Sequence, residues 1–154
     1  MNTPQTKATA AVFLKTRKSG VLSTLSPEQT PRARIVYYAA DSSFVLYFLT
    51  LKNTRKVEDM TAFPQVAFTV FDEQSLQTLQ LEGYATDITN APVPDAILEK
   101  LFDNLEMHSS HYGPLARLDR SDVVVYKITP TWIRYGDFTQ GEHSDDVYAQ
   151  LKGE

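Results

Sequence analysis

The sequence predicts an antiparallel β-barrel with short helices at its ends, and three observations support this. Five or six strand-like segments are joined mostly by turns, as in a hairpin-built barrel. Helical periodicity is confined to three short stretches. The six glycines, Gly20, Gly83, Gly113, Gly136, Gly141 and Gly153, form neither Gly-x-Gly-x-x-Gly nor Gly-x-x-x-x-Gly-Lys, so both standard glycine-rich nucleotide loops are missing.

Ala8 to Lys18 reads as an amphipathic helix, with Ala8, Val12 and Lys15 or Ala11, Leu14 and Lys18 sharing faces. Gly20 ends it and opens a strand through Leu25. Ser26-Pro27-Glu28-Gln29-Thr30 is turn chemistry, and the strand from Arg32 to Ala39 returns as the second arm of an antiparallel hairpin. Asp41-Ser42-Ser43 turns the chain into a third strand, Phe44 to Leu49. Asn53 or Thr54 can cap a helix through about Ala62 with Val57 and Met60 inward, and Pro64 stops it. Val66 to Phe71 and Leu76 to Ile88 read as strands. Pro92 and Pro94 introduce a helix with Ile97, Leu101, Phe102 and Leu105 on one side. Val123 to Tyr135 gives a strand pair or one long strand broken near Pro130, and the acidic last dozen residues read as a loosely held tail.

A length of 154 residues fits one domain, here 1–140 with a tail at 141–154. A hydrophobic content of 42% is enough for a sizeable core. The formal charge of −4 argues against nucleic acid as a partner held by overall electrostatics. With no cysteine there is no disulfide, thiolate metal site or cysteine nucleophile. Met1 to Lys7 has no apolar leader core, and no apolar run approaches the ~18 residues of a membrane helix, so the expected compartment is the cytoplasm, with no membrane partner.

The chemistry concentrates where two strands end. Arg34 shares a strand face with Arg32, Val36 and Tyr38. Thr50 closes the next strand, and Thr54, Arg55 and Lys56 open the helix after it, where unpaired N–H groups attract anions. If these two strands pair as neighbours, Arg34, Thr50, Arg55 and Lys56 converge. Such a cluster suits a fixed anionic head group such as a nucleotide phosphate. The competing reading is that these are ordinary solvated surface charges.

The order of these pieces carries a resemblance. Gly20-Val21-Leu22-Ser23-Thr24-Leu25, Pro31-Arg32-Ala33-Arg34-Ile35-Val36, Tyr47-Phe48-Leu49-Thr50 and Thr54-Arg55-Lys56 are similar to the pyridoxamine 5'-phosphate oxidase-like family, the FMN-binding split barrels. Phe63-Pro64-Gln65-Val66-Ala67-Phe68 and Leu81-Glu82-Gly83 continue it, with a weaker echo from Val123 to Phe138. The resemblance implies a six-stranded antiparallel split β-barrel, mainly β with short α-helices. It implies FMN as cofactor, contacted by Arg34, Ile35 and Val36, with Thr50 on the flavin edge or ribityl chain. Thr54 would also contact the cofactor, Arg55 and Lys56 would hold the phosphate, and Thr78, or Gln77 or Gln80 in another register, would face the ring. It also implies a homodimer with FMN in the cleft between subunits, and a small-molecule electron donor or acceptor.

Departures narrow the resemblance. The oxidase places a Lys five positions after the equivalent of Arg34, where this chain has Ala39. Its C-terminal Trp-Gln-Gly and Arg-Leu-His segments are replaced by Ile133-Arg134-Tyr135-Gly136-Asp137-Phe138. The expectation is therefore an FMN-dependent oxidoreductase near the general stress protein branch, not a pyridoxamine phosphate oxidase. The alternatives are a non-catalytic flavin-binding stress protein, or a split barrel using a deazaflavin coenzyme or haem.

His108 and His111 have a spacing that two metal ligands can use, but no third ligand is tied to them, so no metal site is expected. His143 lies in the polar tail, and the resemblance keeps a haem role open for it. Trp132 is expected to pack at a barrel end rather than cover a flavin.

Overall fold

A computed structural model describes residues 4–109, 120–140 and 147–153. The order is α1 (Pro4–Thr16), β1 (Ser19–Leu25), β2 (Pro31–Tyr37), β3 (Ala39–Ala40), β4 (Leu46–Leu51), α2 (Arg55–Ala62), β5 (Gln65–Asp72), β6 (Gln77–Asp87), α3 (Asp95–Ser109), β7 (Val123–Asp137) and β8 (Tyr148–Lys152). All strand pairs are antiparallel, in the order β2-β1-β5-β6-β7-β4-β3, with β8 added on β7. The sheet curls until β2 and β4 approach each other without pairing, which is the split in the barrel.

Alternation along the strands sends Leu22, Phe48, Phe68, Leu79, Leu81, Ile128 and Ile133 into one core. α1 adds Ala10, Phe13 and Leu14 to it, and α2 adds Met60. On the other face of β4, Tyr47 packs with Ala39, Ile88, Ile97 and Leu101, which seats α3.

Several boundaries differ from the sequence reading, each for a local reason. The segment read as one strand from Arg32 to Ala39 divides into β2 and β3 around Tyr38, whose hydroxyl donates to the Leu14 carbonyl at 2.6 Å. Phe44 belongs to the turn rather than to β4. The Asp41 carboxylate accepts from the N–H groups of Ser43 and Val45, and Phe44 takes φ 64° with its ring buried in the core. The inward face of α1 is Ala10, Phe13 and Leu14, while Val12 is exposed.

On α3, Phe102 is exposed and Asn104 is buried instead, donating to the Tyr38 carbonyl at 3.1 Å. β7 runs unbroken through Pro130. The ladder to β6 absorbs the proline by a register shift, with Glu82 opposite Trp132 and Gly83 opposite Pro130, so Thr131 is the extra residue of a bulge. Tyr148–Lys152 is not a loose tail but β8, paired to β7. The division of the second strand and the addition of β8 raise the strand count from six to eight.

A candidate anion and cofactor site at the barrel split

The segment read as one strand from Arg32 to Ala39 meets the Thr50 strand only at its end, where Ala39 of β3 lies opposite Tyr47 of β4, and Arg34 itself is not paired with that strand. β2 pairs with β1, and β4 pairs with β3 and β7. Convergence comes from barrel curvature instead. A groove of about 220 Å³ lies between the two strands, with Ile35, Val36 and Tyr37 on one side and Leu49, Thr50 and Leu51 on the other. Thr54 and Lys56 close one end, and Leu101 of α3 and Val123 of β7 add apolar surface.

Lys56 is half-buried in this groove and donates to Thr50 Oγ1 at 2.8 Å. Burial, and then the charge of Arg34, holds its ammonium below the usual lysine range. Among the described residues no carboxylate forms an ion pair with it. Thr50 and Thr54 hydroxyl oxygens stand 3.4 Å apart, and Thr54 also donates to the Leu51 carbonyl at 3.0 Å. Thr54 occupies the N-cap of α2, but its side chain does not cap the helix, so the first N–H groups keep their attraction for an anion.

Arg34 is committed differently from the simple phosphate-gripping picture. It donates to Thr24 Oγ1 at 2.5 Å and to Asp59 Oδ2 at 3.1 Å. Asp59, on α2, has no solvent exposure and also receives Arg32 at 2.8 Å and the Thr24 hydroxyl at 2.6 Å. Burial pushes the Asp59 carboxyl up. The Thr24 and Arg34 hydrogen bonds and the Arg32 and Arg34 charges outweigh it, so the group rests below the usual carboxylate range. Arg34 does not line the groove but lies close enough for its charge to act on Lys56.

Arg55 is exposed at the start of α2. Thr78 is buried on β6, donates to the Val70 carbonyl at 3.1 Å and does not line the groove. Gln77 donates to the Tyr135 hydroxyl at 2.6 Å, and Gln80 accepts from Arg134 of β7 at 3.2 Å. One chain thus brings together Ile35, Val36, Thr50, Thr54 and Lys56, with Arg34 behind them and Thr78 elsewhere. Trp132 is half-buried on β7 beneath the Arg134 guanidinium, 5.8 Å from the ring centre. No cluster of three or more metal-ligating side chains occurs among the described residues. His111 and His143 lie outside them, as does the side chain of His108.

The sequence reading missed Thr24 and Asp59 and saw Arg32 only as a neighbour. The available clue was two arginines alternating on one inward strand face, which calls for a buried counter-charge. Asp59, directly before the inward Met60, was the acid in position to supply it.

Fold and groove together define a split barrel whose seam holds the groove lined by Thr50, Thr54 and Lys56. The sequence profile of the pyridoxamine 5'-phosphate oxidase family matches residues 6–136, and the chain belongs to that family. A solved F420 reductase is 30% identical, with a TM-score of 0.62 over 79% of this chain and 93% of its own. General stress protein 26 of Bacillus anthracis is 22% identical, with a TM-score of 0.62 over 96% and 98% of the two chains. A protein of Mesorhizobium loti described as FAD-binding is 21% identical, with a TM-score of 0.58 over 86% and 94%. These last two likenesses concern the fold alone. No curated protein sequence matches this chain.

Proposed function

We propose that this protein binds FMN at the groove and acts as an oxidoreductase on a small molecule. The observation that carries the reading is Lys56, a half-buried cation with two threonine hydroxyls beside it and no carboxylate paired to it among the described residues. A cation so placed is stabilised by an incoming anion, and a phosphate ester supplies one.

The residues present fit that group. Lys56, Thr50 and Thr54, with the exposed Arg55 next to Lys56 on α2, would hold the phosphate. Ile35, Val36, Leu49 and Leu101 give the apolar surface that a flat ring needs. Bound there, FMN would supply the hydride or electron transfer. The chain's part is to bind, orient and exclude water, and among the described residues no carboxylate or imidazole lines the groove to move a proton.

At about 220 Å³ the groove is smaller than the ~300–1,000 Å³ of complete small-molecule sites, which favours a homodimer in which a second copy completes it. Val21 and Ile35, opposite each other on β1 and β2, are both exposed, Ile35 at 71%, and give that copy an apolar surface to cover. Among the described residues no helix is long and apolar enough to cross a membrane.

A deazaflavin coenzyme is the second reading, favoured by the 30% identity to the F420 reductase. Titration of purified protein with FMN and with F420, followed by absorbance, separates the two. Shifted flavin bands with FMN alone support the first, and a response to F420 alone replaces it with the second. No response to either removes both.

A further inference from the structure

The Asp59 carboxylate cannot touch a ligand, because it has no solvent exposure and both its oxygens are taken. What it does touch is informative. Its partners are Arg32 and Arg34 of β2 and Thr24 of β1, whereas Asp59 stands on α2 one turn after Lys56. It therefore ties the helix that carries Lys56 to the strand that forms the opposite wall of the groove. The tie is also directional. Thr24 Oγ1 receives Arg34 and passes its own proton toward Asp59 Oδ2, so the Arg34 guanidinium is held at two points. These bonds engage two of its five N–H donors.

A buried ion pair of this kind adds little stability over apolar packing of the same volume, so its effect on geometry matters more than its energy. We infer that Asp59 is a positioning residue for phosphate recognition, fixing the Lys56 turn of α2 relative to Arg34 and to β2, the strand that walls the groove. The inference rests on the proposed phosphate-bearing cofactor, and it concerns only the phosphate end of that cofactor.

The test compares Asp59→Asn with the parent in titrations with FMN and with riboflavin, which has the same ring and ribityl chain without the phosphate. The FMN dissociation constant is expected to rise about tenfold, close to the worth of one charged hydrogen bond, while that of riboflavin changes less than about twofold. Equal losses for both ligands, or no loss for FMN, would overturn the inference and leave the cofactor reading standing.

A parent that binds FMN no better than riboflavin, and binds no deazaflavin coenzyme, would overturn both. Where the parent prefers the deazaflavin, that coenzyme and its phosphate-free core replace the flavin pair, with the same expected ratio. Should Asp59→Asn fail to fold, Thr24→Val removes the hydroxyl joining Arg34 to Asp59 and keeps the side-chain shape. It is expected to shift the FMN-to-riboflavin ratio in the same direction, by about threefold.

Discussion

Lys56 donates a 2.8 Å hydrogen bond to Thr50 across the turn between β4 and α2, and among the described residues neither partner meets a carboxylate. Burial, then Arg34, depresses the Lys56 pKa, so at neutral pH the folded protein carries this charge at a cost. Lys56→Met is therefore expected to melt at the same temperature as the parent or higher, while FMN affinity falls by roughly 1.5–3 kcal/mol, the worth of a charged hydrogen bond. Calorimetry and a flavin fluorescence titration check the two halves. A lower melting temperature with unchanged affinity would make Lys56 a structural residue.

The acid side of the stability profile should belong partly to Asp59. Its folded-state pKa is lowered, so its contribution is fully present above the unfolded value of about 3.9 and is lost as pH falls through the folded value. Asp72 is also lowered, first through the Gln74 N–H, so a comparison with Asp59→Asn is needed to isolate the buried group. The variant is expected to lose about 3 kcal/mol at pH 7, because Arg32 and Arg34 keep their charges without their shared partner. Urea midpoints of the two proteins should converge below about pH 4. A constant gap down to pH 2 would mean that charge is not what Asp59 contributes.

Gly83 stands where the β6–β7 ladder shifts register, and a Cβ there would come within 2.3 Å of the Thr129 carbonyl oxygen and 3.0 Å of the Pro130 Cα. Both obstacles are backbone, so neither can swing aside. Gly83→Ala is expected to cost about 1–3 kcal/mol of stability without changing flavin affinity in the folded fraction, since the bulge does not line the groove. Chemical denaturation gives the first quantity and titration the second. A neutral substitution would mean that the ladder relaxes at this point.

Sequence made the barrel legible because its causes are local. Alternation, turn residues and Pro64 fix where strands and helices start and stop, and each acts over a few positions. The groove was legible in its residues but not in its geometry. Thr50, Thr54 and Lys56 are close along the chain, whereas Ile35 reaches them only because the whole sheet curls. Arg34 shows the limit most clearly. Its type and position suggested a phosphate ligand, yet its nearest anion is Asp59, which lies 25 residues away and became visible only once α2 was packed against β1. β8 escaped for a related reason: Tyr148–Lys152 is too short and polar to read as a strand without the β7 edge it completes.

That edge supplies the last test. β8 pairs with β7 from Ile133 to Gly136 and buries Ala149, with Val147 buried just before it, and the Tyr148 ring centre lies 4.2 Å from the Arg134 guanidinium. Truncation after Asp146 is expected to cost on the order of 3 kcal/mol, since burying one aliphatic side chain is worth roughly 1.5–3 kcal/mol and the cation–aromatic contact adds about 0.5–1. It would also leave β7 with unpaired backbone groups that invite association between chains. None of the groove-lining residues lies on β8, so the folded fraction should bind FMN as the parent does. Denaturation with light scattering and a flavin titration reads all three. A truncated chain as stable and as monodisperse as the parent would mean that the barrel closes without its eighth strand.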